Sequence, residues 1–106
     1  MKYGLSDKHI VAIQSIFKAY PKVSKAILYG SRAKGNYRPA SDIDLTLQGE
    51  ALDYSDLVAI DTALDDLLLP YTMDLSIYQQ IENPDLIEHI ARVGLPFYVR
   101  LMITMI

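Results

Sequence analysis

The sequence contains no cysteine and no tryptophan. The first absence excludes disulfides and thiolate metal sites and suits a reducing compartment. Long apolar runs are missing too. None approaches the roughly 20 residues needed to span a bilayer, and the opening MKYGLSDKHI lacks the apolar core of a signal peptide. The expectation is a cytoplasmic protein with no membrane partner. Nor is there an excess of positive charge. Ten Lys and Arg stand against thirteen Asp and Glu, a formal net charge of -3. A surface of that sign offers no long-range attraction to a nucleic-acid backbone, so direct binding of nucleic acid is not expected.

What the chain does have is ordinary for a folded domain: 51% apolar and 22% charged residues in 106 positions. That length supports one modest core, and residues 1-106 are expected to form a single domain. The charges are segregated. Lys22, Lys25, Arg32, Lys34 and Arg38 fall close together, whereas acidic residues dominate from Asp42 to Asp66. This polarity suits a small polyphosphate ligand better than a long duplex.

Periodicity supplies the elements. Ser6 is placed to cap a helix whose apolar face carries Ile10, Ile13, Phe17 and Tyr20, ended by Pro21. KAILYG, from Lys25 to Gly30, and DIDLTLQG, from Asp42 to Gly49, read as strands. The SRAKGNYRPA between them reads as a loop with a helical turn near its start. A second helix begins at Ser55 with Leu57, Ile60, Leu64 and Leu67 or Leu68 on one side, and Pro70 stops it. Thr72 to Tyr78 is the third strand. Asn83-Pro84 opens a last helix that turns Leu86, Ile87 and Ile90 inward and ends near Gly94, with PFYVR available as a final strand. The order is α-β-β-α-β-α, an α+β chain.

Transfer of a phosphoryl or nucleotidyl group to a hydroxyl needs divalent cations, and hard cations are held by carboxylate oxygens. Asp42 and Asp44, two apart in a strand, project from the same face, while Ile43 and Leu45 point to the core. Asp74 occupies a similar place between Met73 and Leu75. Upstream, Gly30-Ser31 follows an apolar strand, where a bare backbone admits a close ligand and a hydroxyl can donate to phosphate. Arg32, Lys34 and Arg38 add charge beside it. Each piece alone is unspecific; their order carries the chemistry.

That order, GSRAKGNYRPASDIDL, resembles the motif of the DNA polymerase beta-like nucleotidyltransferase superfamily. The short chain is similar to its minimal nucleotidyltransferase (MNT) branch, including antitoxin-type members paired with HEPN-domain proteins. The resemblance implies a small mixed β-sheet backed by helices. It also implies a nucleotide site at Gly30, Ser31, Arg32, Lys34, Arg38 and Ser41, and one or two Mg²⁺ ions on Asp42 and Asp44. Asp74 would complete the metal site or receive the acceptor proton. Lys34 stands where many relatives carry arginine, which keeps the charge and loses bidentate geometry.

Larger relatives add a domain for the acceptor. Its lack here points to a protein acceptor, and the resemblance implies a HEPN partner that receives AMP from ATP on a hydroxyl, with this chain expected to be the antitoxin of a HEPN/MNT pair. The alternative is a non-catalytic nucleotide-binding module that neutralises its partner by complex formation. Transfer to a small molecule such as an aminoglycoside is disfavoured by the same lack. All three aspartates being filled favours catalysis.

Other residues are given plainer roles. His9 and His89 are expected to face solvent, and Asp53, Asp56, Asp61, Asp65 and Asp66 to be helix-terminal or solvated charges. Tyr37 either stacks on a base or covers the loop. The apolar tail LMITMI, Leu101 to Ile106, is either the edge of the core or a contact surface, and a homo-oligomer is compatible with the latter.

Overall fold

The computed structural model describes residues 1–101. Helix α1 (Asp7–Ala19) leads to strand β1 (Lys25–Tyr29), the short helix α2 (Gly30–Lys34) and strand β2 (Ile43–Gln48). Helix α3 (Tyr54–Asp65), strand β3 (Met73–Ile77), a 3₁₀ turn (Tyr78–Gln80), helix α4 (Pro84–Val93) and strand β4 (Leu95–Val99) complete the order. The sheet runs β3-β2-β1-β4. β1 is antiparallel to both β2 and β4, and β2 is parallel to β3, so the sheet is mixed and the fold is α+β. Among the described residues, no helix is long and apolar enough to cross a membrane.

Local chemistry explains the boundaries. The Ser6 hydroxyl accepts from His9 N–H at the start of α1. Asp53 and Asp56 form a reciprocal capping box at α3, one residue earlier than Ser55 would place the start. Asn83 caps α4 with Pro84 in its first turn. α3 stops at Asp65, and of the two leucines offered for the end of its stripe Leu67, just beyond the helix, packs against the core. Leu68 takes a left-handed φ of 55° and is 88% exposed, so it is no part of the helical stripe. Gly35, at φ 87°, closes α2.

Side chains alternate across each strand. Ala26, Leu28, Ile43, Leu45, Leu47 and Ile77 join Ile10, Ile13 and Phe17 of α1 and Ile60 and Leu64 of α3 in one core. The opposite face is covered in part by α4. The Arg100 guanidinium donates to the carbonyls of Phe17, Lys18, Tyr20 and Val23, satisfying the end of α1. Leu101 beyond it is exposed, and the rest of the apolar tail, 102–106, lies outside the described residues.

Leu5 is a core residue that periodicity does not mark. It is fully buried, delivered by a tight turn in which Tyr3 and Gly4 both have positive φ and Leu5 N–H donates to the Lys2 carbonyl at 2.8 Å. Leu5→Ala should therefore cost about 2–5 kcal/mol in urea unfolding, whereas Leu68→Ala should change stability by no more than about 0.5 kcal/mol.

Candidate active site

The register of the sheet assembles the site. Asp44 of β2 pairs with Tyr29 of β1 on one side and with Asp74 of β3 on the other. The three therefore share one row and one face, the face turned away from α1 and α3. Neighbouring strands lie about 4.8 Å apart, so the backbone ladder itself sets two carboxylates side by side. Asp42 lies just ahead of β2 and is exposed, as is Asp74; Asp44 is half-buried. Ile43 and Leu45 are fully buried, which turns Asp44 outward.

Gly30 has φ +73°, and a Cβ there would run into Asp44 Oδ2. The bare Cα is thus occupied first by a carboxylate of the site. Burial pushes the Asp44 carboxyl above its ordinary range. The Asp74 and Asp42 charges push it further, and His89 opposes them. The Tyr29 phenol is also raised, chiefly by burial, with Ser76 pulling it back and Asp74 and Asp44 adding to the rise. Ser76 in turn donates to Thr46 Oγ1 at 2.9 Å.

Among the described residues the two ion pairs, Lys22–Asp56 and Arg92–Glu88, lie elsewhere. The three aspartates thus carry charge that no basic side chain neutralises, and this fits a cation. No three carboxylate or imidazole groups among the described residues already converge on one point. Paired carboxylates of this kind are compatible with a hard cation such as Mg²⁺, which takes one or two protein carboxylates and fills its shell with water and phosphate oxygens.

The basic residues separate into two kinds. Lys34, the last residue of α2, and Arg38, on the loop between α2 and β2, are both exposed. Arg32 departs from the expectation that it contacts nucleotide: it is 2% exposed, and its donors go to backbone carbonyls. Nη1 reaches Tyr3 at 2.8 Å, Nε reaches Ser41 at 3.1 Å, and Nη2 reaches Pro39 at 3.2 Å and Ser41 at 2.9 Å. A buried guanidinium must be bonded in this way, which makes Arg32 a clamp on the loop. Ser41 likewise serves the turn, its Oγ accepting from Arg38 N–H at 2.8 Å. Tyr37 covers the loop, its ring over Arg32 and close against Gly4. Ser31 is half-buried at the start of α2.

Both histidines correct the solvent-facing expectation. His9 is half-buried, edge-on to Tyr71 at 5.5 Å, with its Nδ1 buried and unpartnered. His89 is half-buried in the site, where its Nε2 accepts from Gly30 N–H at 3.2 Å and its ring meets Tyr29 edge-on. The signal was present in the sequence. Leu86, His89, Ile90 and Val93 follow helical spacing on the inward side of α4.

The pKa shift has a thermodynamic consequence. A carboxyl whose folded-state value lies above its unfolded value is harder to ionise in the folded chain, so its charge destabilises the fold at neutral pH and the loss is relieved as pH falls through the folded value. Asp44→Asn should therefore raise the melting temperature at pH 7, and the gap from wild type should close on acidification through the carboxylate range. A melting temperature lowered by the substitution at pH 7 would contradict this electrostatic account.

The model of the family "Polymerase beta, Nucleotidyltransferase" matches residues 12–100. Among solved structures, a toxin–antitoxin complex with AMP-PNP contains a chain similar to this one, at 21% identity and TM-score 0.68, over 91% of this chain and 75% of that one. An MNT antitoxin in complex with the tri-AMPylated Shewanella oneidensis HEPN toxin gives 17% identity and TM-score 0.67, over 91% and 74%. The MntA–HepT toxin–antitoxin structure gives 18% and 0.65, over 90% and 74%. No curated protein matches the sequence significantly. These similarities share the fold described above, and the family match spans all four strands of the sheet: the chain belongs to the polymerase beta nucleotidyltransferase family.

Proposed function

We propose that this chain is a Mg²⁺-dependent nucleotidyltransferase that moves AMP from ATP to a hydroxyl of a HEPN-domain partner, and so acts as the antitoxin of a HEPN/MNT pair. The observation that carries the reading is the row of Asp44 and Asp74 on adjacent strands, with Asp42 in electrostatic reach and no basic counter-ion among the described residues. Support for the partner comes from the similar structures, which are complexes of toxins with antitoxins, one with AMP-PNP and one with an AMPylated HEPN toxin.

In this reading Asp42 and Asp44 hold the cation, and Asp74 joins them or takes the acceptor proton. Bound Mg²⁺ supplies neutralisation of the triphosphate and lowers the proton affinity of the attacking hydroxyl. Gly30 and Ser31 contact the phosphates, with Lys34 at the end of α2 and Arg38 on the following loop adding charge. The acceptor oxygen forms a bond to the α-phosphorus as the bond to the β-phosphate oxygen breaks. Pyrophosphate leaves, and the hydroxyl proton passes to Asp74, the exposed member of the row.

Three variants test the roles. Asp42→Asn and Asp44→Asn should each lose transfer by orders of magnitude while remaining folded. Asp74→Asn, acting as proton acceptor, should retain ATP binding and lose about 10²–10⁴-fold in rate. The assay is mass spectrometry of the partner after incubation with ATP and Mg²⁺. AMP transfer at the wild-type rate by the Asp42→Asn, Asp44→Asn double variant would falsify the proposal. Neutralisation of the partner by a transfer-dead variant would instead identify a binding module.

Binding gives a second prediction. Without a divalent cation, the triphosphate meets three uncompensated carboxylates, and like charges at this range repel. Calorimetric titration should detect ATP binding with Mg²⁺ and none in excess chelator. Equal affinity in both conditions would show that the aspartates do not form a metal site.

A further inference from the structure

We propose that His89 is a positioning residue of the nucleotide site, whose imidazole Nε2 holds the Gly30-Ser31 turn in its working conformation by accepting the Gly30 N–H. This rests on the nucleotide reading of that turn given above. The start of an α-helix leaves its first N–H groups without intrahelical acceptors, and Tyr29, at the cap of α2, offers no side-chain bond to them. The acceptor for Gly30 comes from 59 residues away, across the face of the sheet, at 3.2 Å.

The ring is held on more than one side. Its neighbour Ile90 is buried, and the end of α4 lies against β1 so closely that a Cβ at Gly94 would come within 2.9 Å of Ile27 Cγ2. Tyr29 meets the imidazole edge-on, with ring centroids 6.1 Å apart and an interplanar angle of 82°. The turn it grips has no slack. Gly30 sits at φ +73° with the Asp44 carboxylate packed on its Cα, so rotation about Gly30 would displace both the carboxylate and the following Ser31. His89 therefore couples the placement of the turn to that of Asp44. Acceptance at Nε2 also fixes the tautomer: in the neutral ring the proton lies on Nδ1.

The test compares His89→Gln, which keeps an acceptor, with His89→Phe, which keeps a ring and loses it. His89→Phe should weaken binding of ATP with Mg²⁺ by about three- to tenfold, the range of one lost hydrogen bond. It should also raise KM for ATP more than it lowers kcat. His89→Gln should recover most of that affinity. Long-range ¹⁵N spectra of the wild-type chain, at a pH where the ring is neutral, should show the proton on Nδ1. Equal ATP affinity in wild type and His89→Phe, or a His89→Gln variant as weak as His89→Phe, overturns the role. So does an Nε2-protonated ring in a wild-type chain that binds ATP, which keeps the proposal testable even if His89→Phe fails to fold. A wild-type chain that binds no ATP overturns the nucleotide reading and the positioning role together, a result distinct from the others.

Discussion

Much of the active end of this fold depends on one buried charge. The Arg32 guanidinium is 2% exposed, and a desolvated cation is tolerable only when its donors are satisfied. Here the acceptors are the carbonyls of Tyr3, Pro39 and Ser41, with the rings of Tyr37 and Tyr71 against its faces. A single side chain thus gathers the N-terminal turn, the loop after α2 and the entry to β2. Asp42 directly follows Ser41, so the clamp that satisfies the arginine also sets where the first carboxylate begins. The planar fork of arginine suits this task, since it spans several carbonyls at once in a way a lysine ammonium does not.

The carboxylates themselves are placed by a different device. Parallel pairing of β2 with β3 puts Asp44 and Asp74 in register, and the spacing follows from the backbone hydrogen bonds of the sheet rather than from side-chain choice. Burial first, and then the Asp74 and Asp42 charges, raise the Asp44 carboxyl, and the buried Ile43 and Leu45 on either side hold it in that environment. Catalytic groups commonly carry such perturbations, because the geometry that serves the reaction is not the one that best stabilises the fold.

Much of this was legible in the sequence where local rules decide. The caps at Ser6 and Asn83, the alternation around Asp42 and Asp44, and the strand around Asp74 all follow from period and turn chemistry, and the elements lie within a residue or two of where these place them. The C-terminus of α3 did not follow, because a left-handed turn at Leu68 takes over where the apolar stripe would continue. What local rules miss is contact across the chain. Nothing in the neighbourhood of Arg32 distinguishes a buried clamp from a phosphate ligand, since the deciding partners, Tyr3 and Ser41, are brought in by tertiary structure. The same holds for His89. Its helical spacing marks it as inward, but only the packing of α4 on β1 shows that it meets Gly30. Leu5 lies in a two-residue turn that has no periodicity to detect.

The far edge of the sheet has a consequence for how the molecule meets others of its kind. The pairing of β1 with β4 is interrupted between Ala26 and Ile27, so that Tyr98 and Pro96 face adjacent residues and Phe97 is left over as a bulge. Gln14 of α1 donates to the Phe97 carbonyl at 2.8 Å, and Pro96 has no N–H to give. An incoming strand would meet an irregular row of donors, with the Phe97 carbonyl already engaged. Such an edge resists the strand-by-strand growth that leads to fibrils. The sheet is thereby given a polarity in colloidal terms: at the β4 margin an irregular strand with a proline and a bulge stands where a flat edge would invite addition.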